Sequence, residues 1–336
     1  RAAGPDPLEN CRMLARRSLV VFICLIVAHA RAQEPVGYYR SPALHGDTLV
    51  FLAEGDLWKV SLAGGTASRF TTHLGDETTP AISPDGTLLA FVGTYEGPAE
   101  VYVVPLSGGL PTRLTYEGSR CRVVGWTPDG HILYSTEVYS TLPNWQLVRL
   151  HPKTAERSVV PLAQASDGVY DETGRTLFFT RLPFQGSHTK RYKGGTAQNL
   201  WRFADGDAEA TPLTADYPGT SKRAMWWQGR VYFASDRSGS MNLWSMDERG
   251  GDLKQHTTHT GYEVQSPTLS NGRIAYQLGA DLRVYDIADQ DRIERSPWMG
   301  KIELPKKFVS KYSAEIFFVF NIIIRIYEKE EFIIAL

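Results

Sequence analysis

Few side chains in this 336-residue sequence stand at spacings that could do chemistry. The segment Leu182–Gln198 (LPFQGSHTKRYKGGTAQ) gathers His188, Lys190, Arg191 and Lys193 beside Phe184 and Tyr192. Such a cationic, aromatic stretch can hold a carboxylate by charge-assisted hydrogen bonds, or can dock on another domain. A longer connection than its element needs is also where function concentrates. His256 and His259 stand as His-x-x-His, but no carboxylate follows at metal-site spacing, so the reading is of solvent-facing strand residues. His73, Asp76 and Glu77 read as a solvated loop between structural units. There is no G-x-S-x-G elbow, and Lys193-Gly194-Gly195-Thr196 has the wrong order for a phosphate loop. The expectation is a chain with no catalytic residue, no metal and no cofactor of its own.

The elements that must position these residues announce themselves as repeats. Turn-forming segments recur as His45-Gly46-Asp47, Ser83-Pro84-Asp85-Gly86, Thr127-Pro128-Asp129-Gly130, Glu172-Thr173-Gly174, Gln228-Gly229 and Ser270-Asn271-Gly272. Their glycines are spaced by 40, 44, 44, 55 and 43 residues. A second landmark, Leu57-Trp58, Val101-Tyr102, Gln146-Leu147, Leu200-Trp201, Leu243-Trp244 and Leu282-Arg283, steps by 44, 45, 54, 43 and 39. Both rulers lengthen at the fourth unit, where the cationic segment is inserted. Within a unit, alternating β-branched and aromatic residues such as Thr87–Val92 (TLLAFV) and Glu100–Leu106 (EVYVVPL) suit half-buried strands. Pro-Asp-Gly turns fit because proline presets φ and glycine accepts a positive φ. Shorter endings follow at Ser68–Thr72, Pro111–Thr115, Thr211–Thr214 and Gln255–Thr258. Trp58, Trp201 and Trp244 share one place in their units, so they read as packing residues, and Trp226-Trp227 likewise, rather than as a ligand cage.

Units of this size, each with about four strands, are propeller blades. The fold class expected is all-β: a six-bladed β-propeller of four-stranded antiparallel blades over residues 33–300. Residues 1–32 read as upstream sequence plus a signal peptide starting at Met13, with Arg16-Arg17, the apolar run Leu19–Ala28 and a cleavage site after Ala32. The apolar run is about half of what a bilayer-spanning helix needs. An exported, periplasmic or secreted protein is therefore expected. Removing 1–32 leaves 31 basic and 35 acidic side chains, a net charge of −4 that argues against nucleic-acid binding. Cys121 alone of the three cysteines then remains, so no internal disulfide is expected and a buried or half-buried thiol is. Residues 301–336 form a divergent tail: eight isoleucines against five in 33–300, and no glycine. They read as out-of-frame sequence or the start of a linker.

Gly37-Tyr38-Tyr39-Arg40-Ser41-Pro42, then Asp47–Val60 (DTLVFLAEGDLWKV), Ser61–Arg69 (SLAGGTASR), Thr79–Gly86 (TPAISPDG) and the fourth-unit insertion resemble the N-terminal propeller of tricorn-type serine peptidases, peptidase family S41. The resemblance covers about 39–295 and includes PD40-type, TolB-like repeats. It implies a modular hydrolase in which this six-bladed ring gates or docks short peptides. A second propeller, a PDZ-like module and a serine-bearing catalytic region would follow as partners, and homo-oligomers would fit. No catalytic position carries over, so the chain is expected to be inactive alone. The alternative is a TolB-like periplasmic protein-binding propeller.

Overall fold

A computed structural model describes residues 38–142, 144–183 and 191–289, and all the regular structure among them is strand. Blade one is β1 (Arg40–His45), β2 (Thr48–Ala53), β3 (Asp56–Ser61) and β4 (Ser68–Arg69). Blade two is β5 (Glu77–Ile82), β6 (Leu88–Gly93), β7 (Glu100–Pro105) and β8 (Thr112–Arg113). Blade three is β9 (Cys121–Trp126), β10 (Ile132–Thr136), β11 (Gln146–Leu150) and β12 (Arg157–Val159). Blade four is β13 (Asp167–Tyr170), β14 (Thr176–Thr180), β15 (Leu200–Ala204) and β16 (Thr211–Pro212). Blade five is β17 (Ser221–Trp227), β18 (Arg230–Ser235), β19 (Asn242–Asp247) and β20 (Lys254–Gln255). Blade six is β21 (Val264–Ser270), β22 (Arg273–Leu278) and β23 (Asp281–Asp286), three strands among the described residues. Every blade is a meander of antiparallel neighbours.

Both families of landmarks fall where the repeat reading puts them. Each glycine turn joins a blade's first and second strands, and each Leu-Trp-like pair opens or lies in its third strand. Gly86 and Gly130 donate back to Ser83 and Thr127 at 2.9 and 3.0 Å, with φ of +71° and +82° that a side chain would resist.

Alternation along the second strands explains why the blades need one another. Leu89 and Phe91 face blade one, whereas Ala90 and Val92 face blade three. Leu177 and Phe179 pack toward blade three, and Phe178 toward blade five. Successive side chains of a strand point to opposite faces, so each sheet is apolar on both. Six separate hydrophobic clusters result, one in each seam. The last seam closes the ring: Ala275 and Leu282 of blade six pack with Phe51 and Trp58 of blade one. There Tyr39 N–H donates to the Ala280 carbonyl at 3.0 Å, and Arg273 pairs with Asp47 at 3.3 Å. No strand is shared between the first and last blades among the described residues, so side-chain packing and these polar contacts hold that seam.

The short endings lock the outer edges of blades one, two, four and five. Thr71, Thr115, Thr214 and Thr257 are buried, and their hydroxyls accept the N–H groups of Leu57, Val101, Leu200 and Leu243 at 2.8–3.0 Å. Each N–H is the one left unpaired where the third strand begins. Blade three lacks this lock, having Pro161 where the threonine would stand.

Candidate functional site

The first strands of all six blades line an axial cavity of about 370 Å³. Its lining mixes Pro42, Pro80, Pro84 and Pro267 with Val123, Val124, Gly125, Trp126, Trp226 and Trp227. The tryptophan pair of blade five therefore reaches the cavity as well as the packing. Trp226 also stacks on Phe178 with ring centroids 5.2 Å apart. Trp58, Trp201 and Trp244 sit in the seams, as their shared place in the repeat implied.

A collar of bulges interrupts this wall. The pairing of first to second strand slips at Ser41-Pro42, Thr79-Pro80, Arg223-Ala224 and Ser266-Pro267. Ser41, Thr79, Arg223 and Ser266 carry φ of +46°, +48°, +60° and +45°, values that residues with a Cβ seldom adopt. Proline suits three of these bulges because a bulged position has no ladder bond to donate. Hydroxyl-bearing residues thus line the cavity from blades one, two and six, and an arginine from blade five.

Blade four has no such bulge and contributes Asp167, 6% exposed. Two arginines from its neighbours flank it: Arg122 of β9 at 3.2 Å and Arg223 of β17 at 3.6 Å. Burial, then the like charge of Arg223, pulls the Arg122 guanidinium down to about 10. Lys222 is lowered for the same two reasons in the same order. Spacing gave no hint of this cluster, since its members sit on three blades. Its one local signal was a charged residue at the start of successive first strands.

Of the cationic segment singled out from sequence, His188 and Lys190 lie outside the described residues. Arg191 and Lys193 are exposed, and Arg191 Nε donates to the Gly239 carbonyl of blade five at 2.5 Å. The insertion follows the end of β14, whose Thr180 pairs with Asp167. Arg191, Lys193 and the Arg122–Asp167–Arg223 cluster therefore belong to the same rim of the ring.

Two readings need correction. His256 and His259 are not solvent-facing: His256 bonds Ser245 Oγ at 2.7 Å and Tyr285 OH at 2.9 Å, and His259 bonds Tyr276 OH at 2.9 Å. They turn to different hydroxyls instead of a common point, because each fills a polar gap in the seam between blades five and six. Glu77 is not in a solvated loop either. It is buried, accepting Leu57 N–H at 2.8 Å and the hydroxyls of Thr71 and Tyr95, with burial the main cause of its raised pKa. Cys121 is half-buried and its thiol is pushed up to about 12, chiefly by burial.

The model of the tricorn protease N-terminal beta propeller domain matches residues 36–291. The chain belongs to this family. Over 254 residues it is 33% identical to tricorn protease homolog 1 of Streptomyces coelicolor, covering 75% of this chain and 24% of that protein. It thus spans about a quarter of that relative's length. A tricorn-like protease N-terminal subunit of Sulfurisphaera tokodaii is 29% identical over 172 residues, 48% of this chain and 83% of the subunit. Among solved structures, the crystal structure of the tricorn protease superposes with a TM-score of 0.68 at 23% identity, covering 76% of this chain and 26% of that one. A TolB from Agrobacterium tumefaciens reaches a TM-score of 0.54 at 20% identity, over 65% and 80% of the two chains. At that identity both superpositions speak to the fold alone. The propeller of a tricorn-like protease is what this chain folds into.

Proposed function

We propose that this tricorn-type propeller is an exported, non-catalytic module that admits short peptides to a serine-peptidase region carried elsewhere in the assembly. The observation that supports it is the axial cavity, which this reading takes as a passage: every blade contributes its first strand, and a polar collar interrupts proline, valine and tryptophan walls. Such walls give an extended peptide apolar contact for its side chains and hydroxyls for its backbone. Arg191 and Lys193 extend the same rim as a docking surface for a partner domain or a peptide carboxylate; His188 and Lys190 of the same sequence segment are assigned to that role by their chemistry alone. Tricorn-like proteases in Sulfurisphaera tokodaii occur as separate N- and C-terminal subunits, which suits a partner supplied in trans.

Gly125 provides the test. It lines the passage, and a Cβ placed there meets nothing within 4 Å. Gly125→Phe should therefore fill the passage while leaving the thermal melt of the full chain in place. Short peptides whose binding, followed by fluorescence anisotropy, is lost in this variant support the reading. Peptide binding that survives the plug, or that the native chain never shows, would end it.

A further inference from the structure

The first strands carry a charge asymmetry at the end of the axial cavity that Asp167 and Arg223 line. At one level of the ring the first strands present Arg40, Thr78, Arg122, Asp167, Lys222 and Gln265, each paired with the equivalent residue of its second strand. Three of these are cations and one is an anion. The bulge beside them holds Ser41, Thr79 and Ser266 in three blades but Arg223 in blade five. Two cations, Arg122 and Arg223, thus flank Asp167, and a third, Lys222, stands beside them with Glu263 and Asp236 nearby.

Their donors exceed the acceptors at hand. Arg122 spends one nitrogen on Asp167 at 3.2 Å and on the Ser166 carbonyl at 3.3 Å, while its buried Nε finds no protein acceptor. Arg223 stands 3.6 Å from Asp167, beyond hydrogen-bond reach. Lys222 makes no hydrogen bond or ion pair among the described residues. Asp236 and Glu263 also face Lys222. Asp236, however, is already taken by Thr220 N–H at 2.8 Å and Tyr217 OH at 3.0 Å. A residue in strained backbone that the neighbouring blades fill with serine or threonine points to a role for its side chain. A second carboxylate placed here would use the free donors and relieve the repulsion among the cations.

We propose that the inner wall where blades three to five meet is a carboxylate-binding subsite, built by Arg122, Lys222 and Arg223, that selects peptides carrying acidic side chains. The inference rests on the passage reading and adds a specificity to it. Asp167 is the fixed counter-ion that holds the two arginines apart and oriented. The hydroxyl side of the collar, blades one, two and six, carries no such preference.

The test uses the full chain and short fluorescent peptides, acetylated and amidated at their ends, that differ only in carrying Glu, Gln or Lys. The Glu peptide should bind roughly tenfold tighter than the Gln peptide, the scale of one charge-assisted contact. That margin should shrink as salt rises. It should vanish in Lys222→Gln/Arg223→Gln and persist in Arg249→Gln, a charge change on an exposed outer turn. The salt series on the native chain needs no variant and stands if the double variant misfolds. Equal binding of Glu and Gln peptides, or a preference that outlasts the double variant, overturns the subsite but not the passage. Failure of all the peptides to bind removes the passage reading, and this inference with it.

Discussion

The Thr115 hydroxyl accepts the Val101 backbone N–H at 2.8 Å while donating to the carboxylate of Glu100. Arg113 joins the same carboxylate at 3.1 Å, and Leu114 N–H returns to the Val101 carbonyl at 2.8 Å. One Arg-Leu-Thr ending thereby closes the start of its blade's third strand. Thr115→Val keeps the shape and removes both bonds, leaving a fully buried N–H without a partner. The expected loss is about 1–3 kcal/mol, read from urea unfolding, with Thr115→Ser recovering most of it. An unchanged midpoint for the valine variant would contradict the lock.

The closing seam depends on packing. Leu282 is fully buried between blades six and one. Leu282→Ala should cost about 2–5 kcal/mol through lost burial and the cavity left behind. A calorimetric scan showing wild-type stability would mean that the ring is held some other way.

His256 gives the fold a pH dependence with a defined sign. Burial, then Arg230 and Lys254, lowers its pKa from 6.5 to about 4. Between those values the unfolded chain takes up a proton that the folded one refuses, so stability drops as pH falls from 6.5 toward 4. Above 6.5 the contribution is flat. Urea midpoints at pH 7 and pH 5 should therefore differ less in His256→Gln than in the native chain. Equal differences in both would rule out His256 as the source.

The rim insertion is tested by reversing its charge. Lys190→Glu/Arg191→Glu/Lys193→Glu should weaken capture of a partner catalytic subunit or of a peptide carboxylate, with a larger effect at low salt. Surface charge changes of this kind leave stability nearly unmoved. Undiminished capture would remove these residues from the docking surface.

Export is tested at the N-terminus. Expression of the full chain in a bacterium should yield a periplasmic product beginning at Gln33. Recovery of an uncleaved cytoplasmic chain would remove the signal-peptide reading of Met13–Ala32.

The sequence alone determined the number of blades, their order and the class of each turn. Pro84-Asp85-Gly86 and Leu57-Trp58 are local signals: a turn's φ preference and a strand's alternation act within a few residues, so they survive being read in one dimension. It also exposed the Arg-Leu-Thr endings, though not that Thr115 reaches back across a turn to Val101. Only the tertiary structure decided the inner wall. Arg122, Asp167 and Arg223 stand on three different blades, and a charged residue near the start of each first strand does not show that the three meet, because the interaction exists only once the ring has closed. The same holds for His256, which looked exposed beside Gln255 and is covered by Tyr285 of the next blade. Residues that pair along the chain follow rules of spacing; residues that meet around the axis follow the curvature of the ring, which no single repeat encodes.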